Sequence, residues 1–421
     1  MQIGKVASFQ NGYAFKSKDF VQDGNYKIIK IKELKDGKVV FFKDSASVNI
    51  DNICDFEKYI VENGDILFAL TGDPVNKNNP LSWVGRVSVY ENTEAALLNQ
   101  RVCKLIPKKG VNKKYLYYYF REFGNLYALA SIAKGSASQA NISTKDIEAI
   151  DIELPPITVQ NKVVGILDSI ENKINVNNMI NNNLEQQAVR LFKKWFIQFD
   201  NSSKNMLETR FGLIPESFKL LKNGELPLVV TDYVANGSFA SLKANVTLYQ
   251  EPNYAYFIRN TDLKSGTFEV FVDEHSYNFL SKSTLYGGEI IISNVGDVGS
   301  VFLCPKLDKP MTLGNNIIML RPEQENLRYY LYIWFKWLYG QSLIQGIKGG
   351  SAQPKFNKTD FKNLPIFLPP DDLLEQFHQI VKPMFELIDE NNAENKALAI
   401  TRDTLLPRLM SGELDVSGID L

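Results

Sequence analysis

Leu98-Asn99-Gln100-Arg101-Val102-Cys103-Lys104-Leu105-Ile106-Pro107 has a counterpart about 214 residues further on, Leu313-Gly314-Asn315-Asn316-Ile317-Ile318-Met319-Leu320-Arg321-Pro322. Outward from this pair, further matches keep the same order. Tyr115-Leu116-Tyr117-Tyr118-Tyr119-Phe120 answers to Tyr330-Leu331-Tyr332-Ile333-Trp334-Phe335, Gly135-Ser136-Ala137 to Gly350-Ser351-Ala352, and Leu154-Pro155-Pro156 to Leu368-Pro369-Pro370. On the N-terminal side Gly64-Asp65-Ile66-Leu67 pairs with Gly288-Glu289-Ile290-Ile291, and Gly72-Asp73 with Gly296-Asp297. Ordered matches along the whole length identify a tandem duplication, and a fixed internal offset decides the architecture before any local propensity does.

Each copy reads in two parts. Short β-rich runs (26–31, 65–70 and 83–90, then 289–293 and 317–320) alternate with Gly, Asn, Asp and Pro, and an aromatic helix near 114–127 or 328–344 interrupts them. That pattern predicts a compact α+β domain. After each Leu-Pro-Pro break a long helix follows. Its apolar positions are Val163, Leu167, Ile170, Ile174, Leu184, Ala188, Leu191 and Trp195, with Asn177 and Asn181 in the gaps. The second copy repeats the register with Phe377, Val381, Met384, Ile388, Leu398, Leu405 and Leu409, with Asn391 and Asn395 in the gaps and Arg402 where Ala188 stands. Four–three spacing held in phase predicts two long helices, each roughly 50 Å, that pack on each other as an antiparallel coiled coil. Pro383 is expected to kink its helix or mark the end of a first turn. The expected boundaries are a first globular domain over 1–155, a central helix over 156–200, a second domain over 201–368, and a distal helix with C-terminal tail over 369–421.

Composition bounds the function. A chain of 421 residues, 44% apolar and 23% charged, is too long for one core and too apolar for disorder. Cys54, Cys103 and Cys304 are odd in number and form no CxxC pair, which fits a reducing compartment. His275 and His378 are the only histidines, so a metal site or a histidine relay has almost nothing to be built from. No apolar run approaches a membrane span and the first residues lack a signal-peptide core, so the cytoplasm is the expected location. Lys+Arg and Asp+Glu nearly balance at 47 and 48, but their placement is uneven. Residues 1–150 carry 21 basic and 16 acidic side chains, whereas residues 366–421 carry 4 and 11. Mildly basic globes suit phosphates, while acidic helices are left for protein partners.

Two such units, each followed by a long helix, resemble the specificity (S) subunit of type I restriction–modification enzymes, the HsdS family. The resemblance is carried by Asn63-Gly64-Asp65-Ile66-Leu67, by Gly135-Ser136-Ala137 with Gln139 and Ile142, and by Leu154-Pro155-Pro156 with Gln160. Leu184-Glu185 and Leu191-Phe192-Lys193-Lys194-Trp195-Phe196 look like the end of that family's central spacer, and 402–414 like its distal spacer. Ile3-Gly4-Lys5-Val6 looks like the family's start with a few leading residues missing, and 201–230 is less similar to the first copy. The resemblance implies a non-catalytic subunit with two target-recognition domains, each reading one half of a bipartite, asymmetric site in double-stranded DNA. It implies two modification (methyltransferase) subunits and restriction/translocase subunits as partners. S-adenosylmethionine, ATP and Mg²⁺ would reside on those partners and none on this chain. The residues agree that chemistry is absent, since neither a Gly-rich nucleotide loop nor an Asn-Pro-Pro-Tyr segment occurs. A second hypothesis keeps the helix pair and omits DNA: a duplicated coiled-coil interaction scaffold.

Base edges are read by Arg or Lys on guanine and by Asn or Gln on adenine, with other cations on phosphates. The polar loops 71–79 and 134–141 offer Lys77, Asn78, Gln139 and Asn141 for bases and Lys134 for phosphate. Loops 294–297 and 348–355 offer Gln353 and Lys355, with Lys348 on phosphate. The aromatic stripes 115–120 and 330–335 are read as core, the acidic pairs Asp65/Asp73 and Glu289/Asp297 as structural turn residues, and Trp195-Phe196 as a surface covered by protein.

Overall fold

The structure, a computed structural model, describes residues 1–200, 205–209, 212–350 and 353–419. The chain has mixed helix and sheet content and divides into two compact units, Met1–Val176 with Glu394–Leu421, and Asn177–Ala393. The division falls inside both long helices, so each unit holds a globular part and a portion of each helix.

In the first unit a six-stranded sheet runs in the order Ala7–Asn11, Val102–Pro107, Ile66–Ala69, Val87–Val89, Lys38–Val39, Leu34–Lys35. Every residue of Ile66–Ala69 is buried, because both faces are covered. Ile66 and Phe68 point to the aromatic helix with Tyr115 and Phe120, while Leu67 and Ala69 meet Ile29, Ala96 and Leu98 of a second sheet. The period-two alternation thus divides one strand between two cores. The second unit repeats the plan: Leu228–Asp232, Ile317–Pro322, Ile290–Ser293, Val301–Leu303. Ile290 and Ile292 face the aromatic helix, and Ile291 faces Leu313 and Met311.

The aromatic helix is broken in both copies. Lys113–Arg121 and Phe123–Ser131 are separate helices, because the Glu122 carboxylate accepts the Gly124 and Asn125 amides and so caps a new start. In the second copy Leu327–Lys336 and Leu338–Gly346 are divided by Trp337 in an extended conformation. The stripes themselves are core: Tyr115, Leu116, Tyr117, Tyr118 and Phe120 are buried, as is every residue from Tyr330 to Phe335.

The central helix spans Ile157–Phe196 and the distal helix Asp371–Met410, 40 residues each, or about 60 Å. The central helix begins six residues earlier than its apolar periodicity, directly after Pro155-Pro156. Pro383 does not end the distal helix, which continues through it. Of the predicted seam residues, Val163, Leu167, Ile170, Asn177, Ala188, Trp195, Phe377, Val381, Asn391 and Leu409 are buried. Ile174, Asn181, Leu184, Leu191, Met384, Ile388, Asn395, Leu398 and Leu405 are half-buried. Trp195 and Phe196 are not a protein-covered surface. They lie inside the second unit's core, where Phe196 sits 4.9 Å from Phe377.

His378 is almost fully buried, stacked on Tyr329 at 5.4 Å, and its Nδ1 has no hydrogen-bond partner among the described residues. Burial lowers its pKa from the ordinary 6.5 against the pull of Glu375 and Glu325. The unfolded chain therefore takes up this proton first as pH falls, so the stabilisation is full above 6.5 and is lost as pH drops through the folded value. A His378→Phe variant should lose less of its urea midpoint than the parent between pH 7.5 and 5.5. Equal losses would show that His378 does not carry this dependence.

Candidate nucleic-acid interface

The predicted first-copy loops are a small sheet. Lys134–Ser136 and Gln139–Asn141 form a hairpin whose second strand pairs with Thr71–Gly72. Gly135 makes the close approach feasible, since a Cβ there would lie 2.2 Å from the Gln139 carbonyl oxygen. Lys134 and Gln139 are exposed along this hairpin, with Lys77 and Asn78 on the neighbouring turn. Lys77 is already engaged: its ammonium donates to Asp73 at 2.7 Å and to the Ser138 carbonyl at 3.3 Å. That bond, with one from Ser82, holds the Asp73 carboxyl below its usual range. Asn141 is half-buried and its side-chain oxygen accepts from Thr71 at 2.8 Å, which occupies it structurally and leaves only its amide for another partner.

In the second unit Lys355 bridges to Val295 and exchanges backbone bonds with Gly349 at 2.8 and 2.9 Å. Gly350 has φ +84°, and a Cβ there would meet the Gln353 carbonyl at 2.5 Å. Lys348, Gln353 and Lys355 are exposed, with Lys348 donating to Gln345 at 3.2 Å. Ser351 and Ala352, part of the internal repeat, lie outside the described residues. Both units thus place polar side chains on a glycine-dependent turn beside the end of the central sheet.

The acidic turn residues act structurally. Asp65 accepts the Glu62 amide and pairs with Lys104 and Lys113, and Glu289 accepts the Tyr286 and Gly287 amides and pairs with Arg321 at 3.0 Å. Among the described residues no group of three His, Cys, Asp or Glu could hold a metal ion. No described helix is long and apolar enough to cross a membrane. Cys103 and Cys304 are buried, which pushes their thiols up, while Cys54 is exposed.

Arg86 is a site residue that motif reasoning missed. Its guanidinium donates to four backbone carbonyls, those of Ile31, Leu34, Ser82 and Trp83, at 2.9 to 3.4 Å. Burial lowers its pKa, opposed only by Asp73. It fastens the end of the 71–82 segment to the chain at Ile31 and Leu34, and a lone arginine gives no sequence signal of that. Arg86→Ala should cost about 1–3 kcal/mol in urea unfolding, because buried carbonyls lose their donors. Arg86→Lys should recover only part, since one ammonium cannot replace the planar fork.

The profile of the type I restriction modification DNA specificity domain matches residues 1–186 and again 230–401. The chain belongs to this family. The specificity subunit of the type I restriction enzyme MjaIX from Methanocaldococcus jannaschii is 26% identical over 435 residues, covering 99% of this chain and 96% of its own. The EcoBI specificity subunit of Escherichia coli is 22% identical over 451 residues, covering 98% and 85%. The crystal structure of a type I restriction–modification S subunit from M. genitalium shares the fold, with a TM-score of 0.54 at 16% identity over 97% of this chain and 95% of that one. Chains of this family specify rather than catalyse, and this chain is a non-catalytic specificity subunit.

Proposed function

We propose that this chain reads a bipartite, asymmetric sequence in double-stranded DNA, with residues 1–155 on one half-site and 201–368 on the other. The observation that carries the reading is the doubled match to a DNA specificity domain, each copy presenting a polar turn paired with the chain just beyond its central strand, at Thr71–Gly72 in the first and at Val295 in the second. Lys134, Gln139, Lys348, Gln353 and Lys355 are the exposed contacts, with Asn78 beside them. Lys77 and Asn141 contribute after exchanging their internal partners.

The segments 156–200 and 369–421 act as the spacer, an antiparallel coiled coil. Supporting this, Glu171 meets Arg402 at 2.9 Å in the first unit, and Asn391 donates to Asn181 at 2.7 Å in the second. Partner numbers fall as helix numbers rise. Polar seam residues of this kind set register at a cost in stability. The spacer also carries two modification subunits, which bring S-adenosylmethionine, and through them restriction/translocase subunits with ATP and Mg²⁺. Met179 and Ile400, 71% and 68% exposed on the helices, suit such covering.

Exchanging residues 1–155 for the equivalent domain of a relative tests the reading. Methylation by the assembled complex should then shift at one half-site and stay unchanged at the other. Change at both, or at neither, rejects the modular reading.

A further inference from the structure

The central sheets of the two units share four strands in the same order and differ in what covers the last one. In the first unit Val87–Val89 is covered by Lys38–Val39 and Leu34–Lys35. Lys38 lies opposite Val89 in a parallel bridge, and the Val89 amide donates to the Gly37 carbonyl at 2.8 Å. In the second unit Val301–Leu303 ends the sheet. Its inward bonds are made by Ser300, which accepts from Ser293, and by Cys304, which donates to Glu289. The alternate residues Val301 and Leu303 therefore turn their backbone groups outward, and no described strand takes them up. The segment that follows Ala255–Ile258, whose first-unit counterpart forms the cover, here runs on to Phe271–Val272 in the other sheet.

The space beside this edge is an open groove of about 870 Å³, walled by residues 298–303 on one side and by Asn181, Glu185 and Asp389 on the other. The corresponding space beside Val89 and Asn175 is about 30 Å³, because the hairpin fills it. We propose that the Val301–Leu303 edge docks an extended segment of a partner polypeptide, added as a fifth strand parallel to it and bearing a lysine where the first unit bears Lys38.

Charge selects that lysine. Lys38 donates to Asn175 at 2.6 Å, and the residue at the position of Asn175 in the second copy is Asp389. Asp389 has no ion-pair partner among the described residues, and its partial burial and Glu386 push its carboxyl up. The cations of the groove are already matched, Lys264 by Asp297 and Lys336 by Glu185. The unmet demand is for one positive charge, which a polypeptide strand supplies and a phosphate backbone does not. Strand addition draws affinity from the main chain and selectivity from alternate side chains, and an uncovered edge is otherwise an aggregation hazard.

The test uses the full chain and a fluorescent peptide with the sequence of residues 33–41, which forms the first unit's cover. In the free chain the Leu303 amide should exchange with deuterium much faster than the Val89 amide. Saturating peptide should slow the exchange at Leu303 at least tenfold. Asp389→Lys should weaken peptide binding at least fivefold while leaving the urea midpoint of the chain near the parent's. Asp389→Asn should bind with less salt dependence. Leu303→Pro lacks the outward N–H, a change that edge strands tolerate, and should abolish binding. A Leu303 amide already as protected as Val89, undiminished binding to Asp389→Lys, or protection of Leu303 by duplex DNA in place of peptide would each overturn the proposal.

Discussion

Replacing Glu171 with alanine should destabilise the first unit by about 3–5 kcal/mol, the usual result of removing one partner from a buried ion cluster. Glu171 lies between two guanidinium groups, Arg402 at 2.9 Å and Arg121 at 3.3 Å, and all three side chains are 16–17% exposed. Burial opposes both charges, yet Asp403 and Glu171 hold Arg402 above its ordinary value, and Tyr117 and Glu171 do so for Arg121. Without the carboxylate two arginines confront each other with little water. The second unit shows the apolar solution at the same positions. Phe385 replaces Glu171 and stacks on Tyr329 at 4.5 Å, and Ala188 replaces Arg402, fully buried. Glu171→Phe with Arg402→Ala should therefore recover most of the loss. Urea unfolding of the full-length variants decides this, and a Glu171→Ala midpoint equal to the parent's would show the cluster to be energetically idle.

Insertion of one heptad into both long helices should widen the gap in the recognised sequence by about three base pairs. Seven residues lengthen a helix by roughly 10 Å and preserve the phase of the apolar seam, and one base pair rises about 3.4 Å. Inserting four residues instead rotates the seam and should abolish assembly with the modification subunits. The measurement is the methylated sequence produced by the reconstituted complex. An unchanged gap after the seven-residue insertion would refute the spacer role, leaving domain-by-domain reading untouched.

The duplication and both long helices were legible in the sequence because they rest on periodicities that recur twice in one chain. Arg402 was visible as a departure from the Ala188 pattern, but its partners Glu171 and Arg121 are 231 and 281 positions away, a relation no local pattern encodes. The break at Glu122 was hidden because a glutamate inside an aromatic run reads as one more helix former until its carboxylate is seen accepting the Gly124 and Asn125 amides. Pro383 does not mark the end of a first turn, since the helix runs from Asp371 and continues through it. The polar segments were read as loops, because strands of two or three residues such as Thr71–Gly72 pair across long separations and leave no alternation to detect. For the same reason nothing in the sequence distinguished the covered edge at Val89 from the bare one at Leu303.

The thiols offer a practical handle. Cys103 and Cys304 are shielded and held in the protonated, unreactive form, whereas Cys54 meets solvent. A maleimide dye at neutral pH should accordingly label the native chain once. That single fluorophore sits on the first unit alone, so its emission follows one half of the molecule with no engineered cysteine.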